Sequence, residues 1–225
     1  MSEIKKYGAV IKQATAADMA KINAQAMREL TAEEVFTFRV AACDDQVDRD
    51  YERFTLAALN KMAELFVGKT IIMDHQWSAK NQTARIYDAA VEQADGVNRL
   101  VVCAYMLRNE KTEPTIDAIE GGILREVSVG CAVSVARCGI CGVDKVKNWC
   151  EHRAGKDYDG KTCVIDLDEP TDAYELSFCA VPAQPGAGVI KAYGGEDNKP
   201  ANNPQANPDV IKALALLELE EKSLK

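Results

Sequence analysis

Hydrophobic and polar positions change period several times along the chain. Met19, Ile22 and Ala26 recur at helical spacing toward Leu30, with Thr15 placed as N-cap and Asp18 as its capping-box partner. Residues 36–42 (FTFRVAA) alternate, which predicts a half-buried strand. The stretch from Asp44 to Arg53 is charged and turn-rich. Thr55 then caps a second helix, with Leu56, Leu59, Met62 and Phe66 on one face. After Gly68 a short apolar strand, 70–73, ends in Asp74-His75-Gln76-Trp77. Residues 83–93 and 99–107 read as long strands joined by the turn Ala94-Asp95-Gly96. Thr112 and Pro114 start a third helix, which Gly121-Gly122 stops. Residues 126–136 (EVSVGCAVSVA) form another strand, and strands resume at 164–167 and 173–181.

Strands dominate this order, and helices do not alternate with them regularly. That argues against a doubly wound sheet. It predicts an α+β fold: a mainly antiparallel β-barrel core surrounded by a few helices, with a small insertion at 138–163. Residues 1–34 form an N-terminal helical extension and 35–193 the barrel domain. Residues 194–209, rich in Gly, Pro and Asn, have little to bury and read as a flexible linker open to proteolysis. Beyond it, 210–225 predicts an amphipathic helix with Val210, Leu214 and Leu217 on one face. Such a helix docks on a partner or a second copy of the chain, or folds back on its own domain.

Charge and composition narrow the classes. Acidic residues outnumber basic ones by 35 to 27, for a net charge of −8, which disfavours nucleic acid as a partner. No apolar run is long enough to span a bilayer, and the N-terminus lacks a secretory signal, so the expectation is a cytoplasmic protein without a membrane partner. Eight cysteines are many for a reducing compartment. Cys43, Cys103, Cys131 and Cys179 lie in apolar contexts and read as buried thiols. Cys138, Cys141, Cys150 and Cys163 cluster instead, and His152, one of only two histidines, lies among them. Cys138-x2-Cys141 is a knuckle, and Cys150-x-His152 puts two donors on one side of an extended chain. Cys138, Cys141, Cys150 and His152 supply the four S and N ligands of tetrahedral zinc, with Cys163 as a substitute for His152. A site with four protein ligands has no open position, so the zinc is structural.

A serine hydrolase needs a nucleophile, a base and a group that orients the base. His75, at the end of a strand, and Ser128, followed by Gly130, are the residues around which such a site can be sought. Alone, each also fits a structural role. Three segments in order add weight: IIMDHQW (71–77) and the following stretch to Ile86, IDAIEGGILREVSVGC (116–131), and AYELSFCAVPAQPGAGVIK (173–191). Together they resemble the signature blocks of the tailed-phage prohead proteases, the capsid maturation proteases, over roughly residues 36–191. The resemblance implies an assemblin-like barrel with His75 as base and Ser128 as nucleophile. It also implies a serine endopeptidase that works inside the procapsid in the host cytoplasm and cleaves scaffold protein, major capsid protein and itself. Self-cleavage is expected between Tyr193 and Val210. Glu175 is the expected third member, on a strand beside that of Ser128; Asp74, Asp88 and His152 are alternatives. Gly130, or the turn after the Glu175 strand, would donate N–H groups to the oxyanion. The competing expectation is a catalytically inactive phage structural or adaptor protein with a zinc-stabilised interaction module.

Overall fold

A computed structural model describes residues 14–190. The expected linker (194–209) and terminal helix (210–225) lie outside them, as does the start of the helical extension. Helix α1 (Ala16–Asn23) opens with the expected capping box: Thr15 Oγ accepts the Asp18 N–H, and the Asp18 carboxylate accepts the Thr15 N–H. It stops well short of Leu30. Asn23 ends it by bonding sideways, its Oδ1 accepting the Leu30 N–H at 2.8 Å and its Nδ2 donating to the Leu30 carbonyl at 3.1 Å. Asparagine competes for backbone groups in this way, and helical periodicity does not register it. Ile22 and Leu30 pack with Val35 and Tyr87 in a small cluster on the outside of the sheet.

Strand β1 (Val35–Asp44) is the expected first strand, followed by the short β2 (Glu52–Phe54) inside the turn-rich stretch. Helix α2 (Leu56–Phe66) starts at Thr55, whose side chain accepts the Ala58 N–H. Leu59, Met62 and Phe66 are fully buried, whereas Leu56 lies outside the stripe and is exposed. Strand β3 (Thr70–Met73) follows. Strands β4 (Ala84–Ala94) and β5 (Val97–Leu107) form a hairpin through Asp95-Gly96. Helix α3 (Glu113–Glu120) leads into β6 (Val127–Cys138). The insertion carries a two-stranded ribbon of β7 (Asp157–Tyr158) and β8 (Lys161–Thr162). Strands β9 (Ile165–Phe178) and β10 (Gly188–Ile190) complete the described chain.

The two strands expected at 164–167 and 173–181 are one strand, β9. Asp168, Glu169 and Pro170 between them carry turn chemistry, but two bulges against β6 absorb it. One lies at Val133/Pro170, where a residue without an N–H costs the ladder least, and Glu169 beside it has φ 49°. The result is a long β6–β9 ribbon with the 138–163 insertion at its tip.

The eight-stranded sheet runs β10-β1-β5-β4-β3-β9-β2, with β6 on the other side of β9. It is mixed: the pairings β1–β10, β1–β5, β3–β4, β4–β5 and β6–β9 are antiparallel, as expected, whereas β2 and β3, joined by α2, both lie parallel to β9 along one edge of it. It is not a closed barrel. Its β10 and β6 margins meet through a single bridge, Glu126 to Gly188, flanked by the bonds from Val189 N–H to the Arg125 carbonyl at 2.8 Å and from Val127 N–H to the Ala187 carbonyl at 3.5 Å. Among the described residues, β10 spans three residues and faces the end of the α3–β6 connection. The core fills the side covered by α2 and α3, where Met62, Phe66 and Ile116 meet Val40, Ile86, Val102, Leu176 and Phe178.

Candidate functional site

Strand β3 ends where it must hand the chain to a loop, and it does so in an uncommon conformation. Asp74 and His75 have φ of 50° and 52°, in the left-handed region that non-glycine residues seldom occupy. Three bonds hold them there: Asp74 N–H to the Phe178 carbonyl (2.9 Å), His75 N–H to Ser177 Oγ (2.9 Å) and Gln76 N–H to the Met73 carbonyl (3.0 Å). The turn sets the His75 ring against β9, with Nδ1 2.7 Å from Glu175 Oε1. The carboxylate side chain is 3% exposed and the imidazole side chain 42%, so a buried acid orients a ring that solvent reaches. With the carboxylate accepting from Nδ1–H, the neutral ring keeps its lone pair on Nε2.

Glu175 and Ser177 are two apart on β9 and share a face. Ser177 Oγ donates to the second carboxylate oxygen, Oε2, at 2.7 Å. Across the ladder, Ser128 stands opposite Ser177 and Gly130 opposite Glu175, which puts Ser128 on that same face. Gly130 is there because nothing larger fits. A Cβ at this position would lie 2.3 Å from Glu175 Oε1, the oxygen that meets His75. The Ser-x-Gly pattern thus has a physical basis in this fold. Ser128 is half-buried, and among the described residues its hydroxyl makes no hydrogen bond, to His75 or to any other group.

Of the alternative acids, Asp88 is turned to the outside of the sheet in an ion pair with Lys21, and Asp74 makes no side-chain bond to His75. His152 belongs to the insertion, ten residues or more along the ribbon from Ser128. At about 3.3 Å per residue that is roughly 30 Å. The insertion therefore does not lie beside His75. Beside His75 the surface carries Trp77, 72% exposed, with its ring centroid 5.4 Å from that of Tyr174. Ser177 is the residue that sequence reading passed over. The signal was available, because the spacing Glu175-x-Ser177 on a strand puts both side chains on one face.

The second constellation lies at the ribbon tip. Cys138, Cys141, Cys150 and His152 each offer one ligand atom, and these atoms all lie within 4.8 Å of one another. The knuckle is shaped by Cys138 N–H to the Val143 carbonyl (2.9 Å) and Gly142 N–H to the Cys138 carbonyl (2.7 Å), with Gly142 at φ 75°. Burial works against a thiolate at Cys138. The backbone N–H groups of Cys141 and Ile140 and the thiols of Cys141 and Cys163 more than offset it and bring that thiol down to about 6. His152 Nδ1 is buried without a hydrogen-bond partner, while its ring meets Tyr158 edge-on at 4.6 Å. Cys163 is fully buried, with its Sγ 3.8 Å from that of Cys138. That is about the separation of two sulfurs bound at ~2.3 Å to one tetrahedral zinc. Four donors thus stand close enough together to share one metal ion, with the Cys163 thiol against Cys138.

No protein-family model, curated protein or solved structure matches the chain. Among the described residues no helix is long and apolar enough to cross a membrane.

Proposed function

We propose that the chain is a serine endopeptidase of the prohead-protease type, with Ser128 as nucleophile, His75 as general base and Glu175 as the acid that orients it. The observation that carries this reading is the His75–Glu175 pair: a buried carboxylate bonded to Nδ1 of a solvent-accessible imidazole, with a serine on the same sheet face. Ser128 Oγ attacks the scissile carbonyl while Nε2 takes its proton. The same nitrogen then returns the proton to the leaving amine, and water releases the acyl group by the reverse course. Glu175 stabilises the imidazolium in between. The reading requires Ser128 Oγ to come within hydrogen-bond reach of Nε2 when substrate binds, as catalytic bonds that are loose in the free enzyme commonly do. The substrates are exposed segments of scaffold and major capsid protein and of the chain itself, bound in extended form within a procapsid. The likeness to an assemblin-type fold is also part of this proposal; the approach of β10 to the start of β6 supports it as far as an open sheet can.

Structural zinc at Cys138, Cys141, Cys150 and His152 holds the ribbon tip. It would supply cross-linking and no reaction chemistry. One observation favours a second reading, an inactive structural or adaptor protein with a zinc-stabilised interaction module: the Ser128 hydroxyl makes no bond to His75. A fluorophosphonate probe separates the two. The active protein labels at Ser128, and Ser128→Ala and His75→Ala abolish labelling while melting close to wild type. Co-expression with the capsid and scaffold proteins should give cleavage that Ser128→Ala eliminates. A correctly folded, metal-loaded protein that neither labels nor cleaves supports the inactive reading.

A further inference from the structure

Ser177 has no solvent exposure, and its one hydroxyl serves two partners. An N–H can only donate, so the oxygen accepts from the His75 backbone at 2.9 Å and its own proton goes to Glu175 Oε2 at 2.7 Å. The first bond holds the backbone of a residue in the left-handed region, where nothing intrinsic keeps it. The second fixes the plane of the carboxylate so that Oε1 faces His75 Nδ1 at 2.7 Å. Both halves of the acid–base pair therefore depend on one side chain. The two halves come from the turn after β3 and from β9, and the β3–β9 ladder sets backbone separation but not ring or carboxylate orientation.

We propose that Ser177 is the positioning residue of the His75–Glu175 pair: it locks the turn that presents the imidazole and the rotation of the carboxylate that orients it. It is not a rival nucleophile, because its proton is committed to Glu175 and it is sealed from solvent. The kinetic part of this proposal rests on the peptidase reading, whereas the structural part does not.

The test is Ser177→Ala, which removes one oxygen and little volume. Proton and nitrogen NMR of the imidazoles gives a readout independent of activity. The chain has two histidines, and His152→Ala identifies the other one. The wild type should show a low-field, slowly exchanging Nδ1–H signal from His75, and Ser177→Ala should lose or broaden it while the melting transition stays cooperative. Fluorophosphonate labelling of Ser128 should slow on the order of 10²-fold, the scale of an ångström-level misplacement. In a Glu175→Ala background the further loss should be smaller than in the wild type, because the carboxylate held by Ser177 is already gone. An unchanged His75 signal in Ser177→Ala, or losses that multiply fully in the double variant, would overturn the proposal. A signal that is present in the wild type and lost in Ser177→Ala, in a protein that never labels, would uphold the positioning role and reject the peptidase.

Discussion

Gly130 and Glu175 show how closely single residues are matched here. The missing Cβ at Gly130 is the space in which Oε1 meets His75. Gly130→Ala must displace a buried carboxylate, at a cost of about 1–3 kcal/mol for overpacking. The expected outcome is a lowered melting temperature together with loss of Ser128 labelling. By contrast Ser134→Ala, further along β6 and bonded only to Glu169, should leave labelling unchanged. Glu175 was legible in the sequence as an acid on a strand near the serine. It was also the expected partner of the His75 ring, and the structure brings the two together; the left-handed turn that presents Nδ1 to it was not legible, because histidine does not advertise such a turn.

At the scale of elements, local signals placed the three helix starts and the ends of α2 and α3, but not the end of α1. Thr15 and Asp18 make a capping box, and Asp18 also accepts from the Tyr87 hydroxyl at 3.1 Å, tying α1 to the sheet. Burial raises the Asp18 carboxyl, but the Thr15 side-chain and backbone bonds and the Tyr87 bond outweigh it and hold it below its ordinary value. A carboxyl depressed by folding contributes stability above its unfolded pKa and loses it as pH falls through the folded one. Acidification below about pH 4 should therefore loosen α1 first, seen as faster amide exchange over 16–23. Asp18→Ala should produce the same loosening at neutral pH, at a cost of about 1 kcal/mol. The end of α1 was set by Asn23 and the continuity of β9 by two bulges, both of which depend on partners distant in sequence or in the ladder.

The whole molecule keeps its two chemistries apart. The His75 face lies near one end of the β6–β9 ribbon and the Cys/His cluster at the other, joined by a ladder that does not require metal. Purified protein should carry about one zinc per chain. Cys138→Ser or Cys141→Ser should lose it. Strong chelation should raise amide exchange over 139–164 while Ser128 labelling persists. Labelling that stops at once on chelation, in a ribbon tip that remains folded, would place the metal in the chemistry and reject a structural role. Metal analysis of His152→Ala and Cys163→Ser separates the two candidates for the fourth ligand. Retention in Cys163→Ser with loss in His152→Ala is the expected result, given the unpartnered His152 Nδ1.

The sequence by itself determined the α+β class, the three helix starts, the β4–β5 hairpin, the core stripe of α2 and the grouping of metal donors. Each of these follows from side-chain period, capping or close spacing along the chain, which are local properties. The tertiary structure decided what depends on non-local pairing. It made the sheet mixed, because β2 and β3, joined by α2, both pair in parallel with successive parts of β9, and it joined two expected strands into one. It moved the insertion to the far tip of a ribbon. It also brought His75, Glu175 and Ser177 together from segments about a hundred residues apart, a meeting set by the register of β3 on β9, and neither strand's own sequence specifies that register.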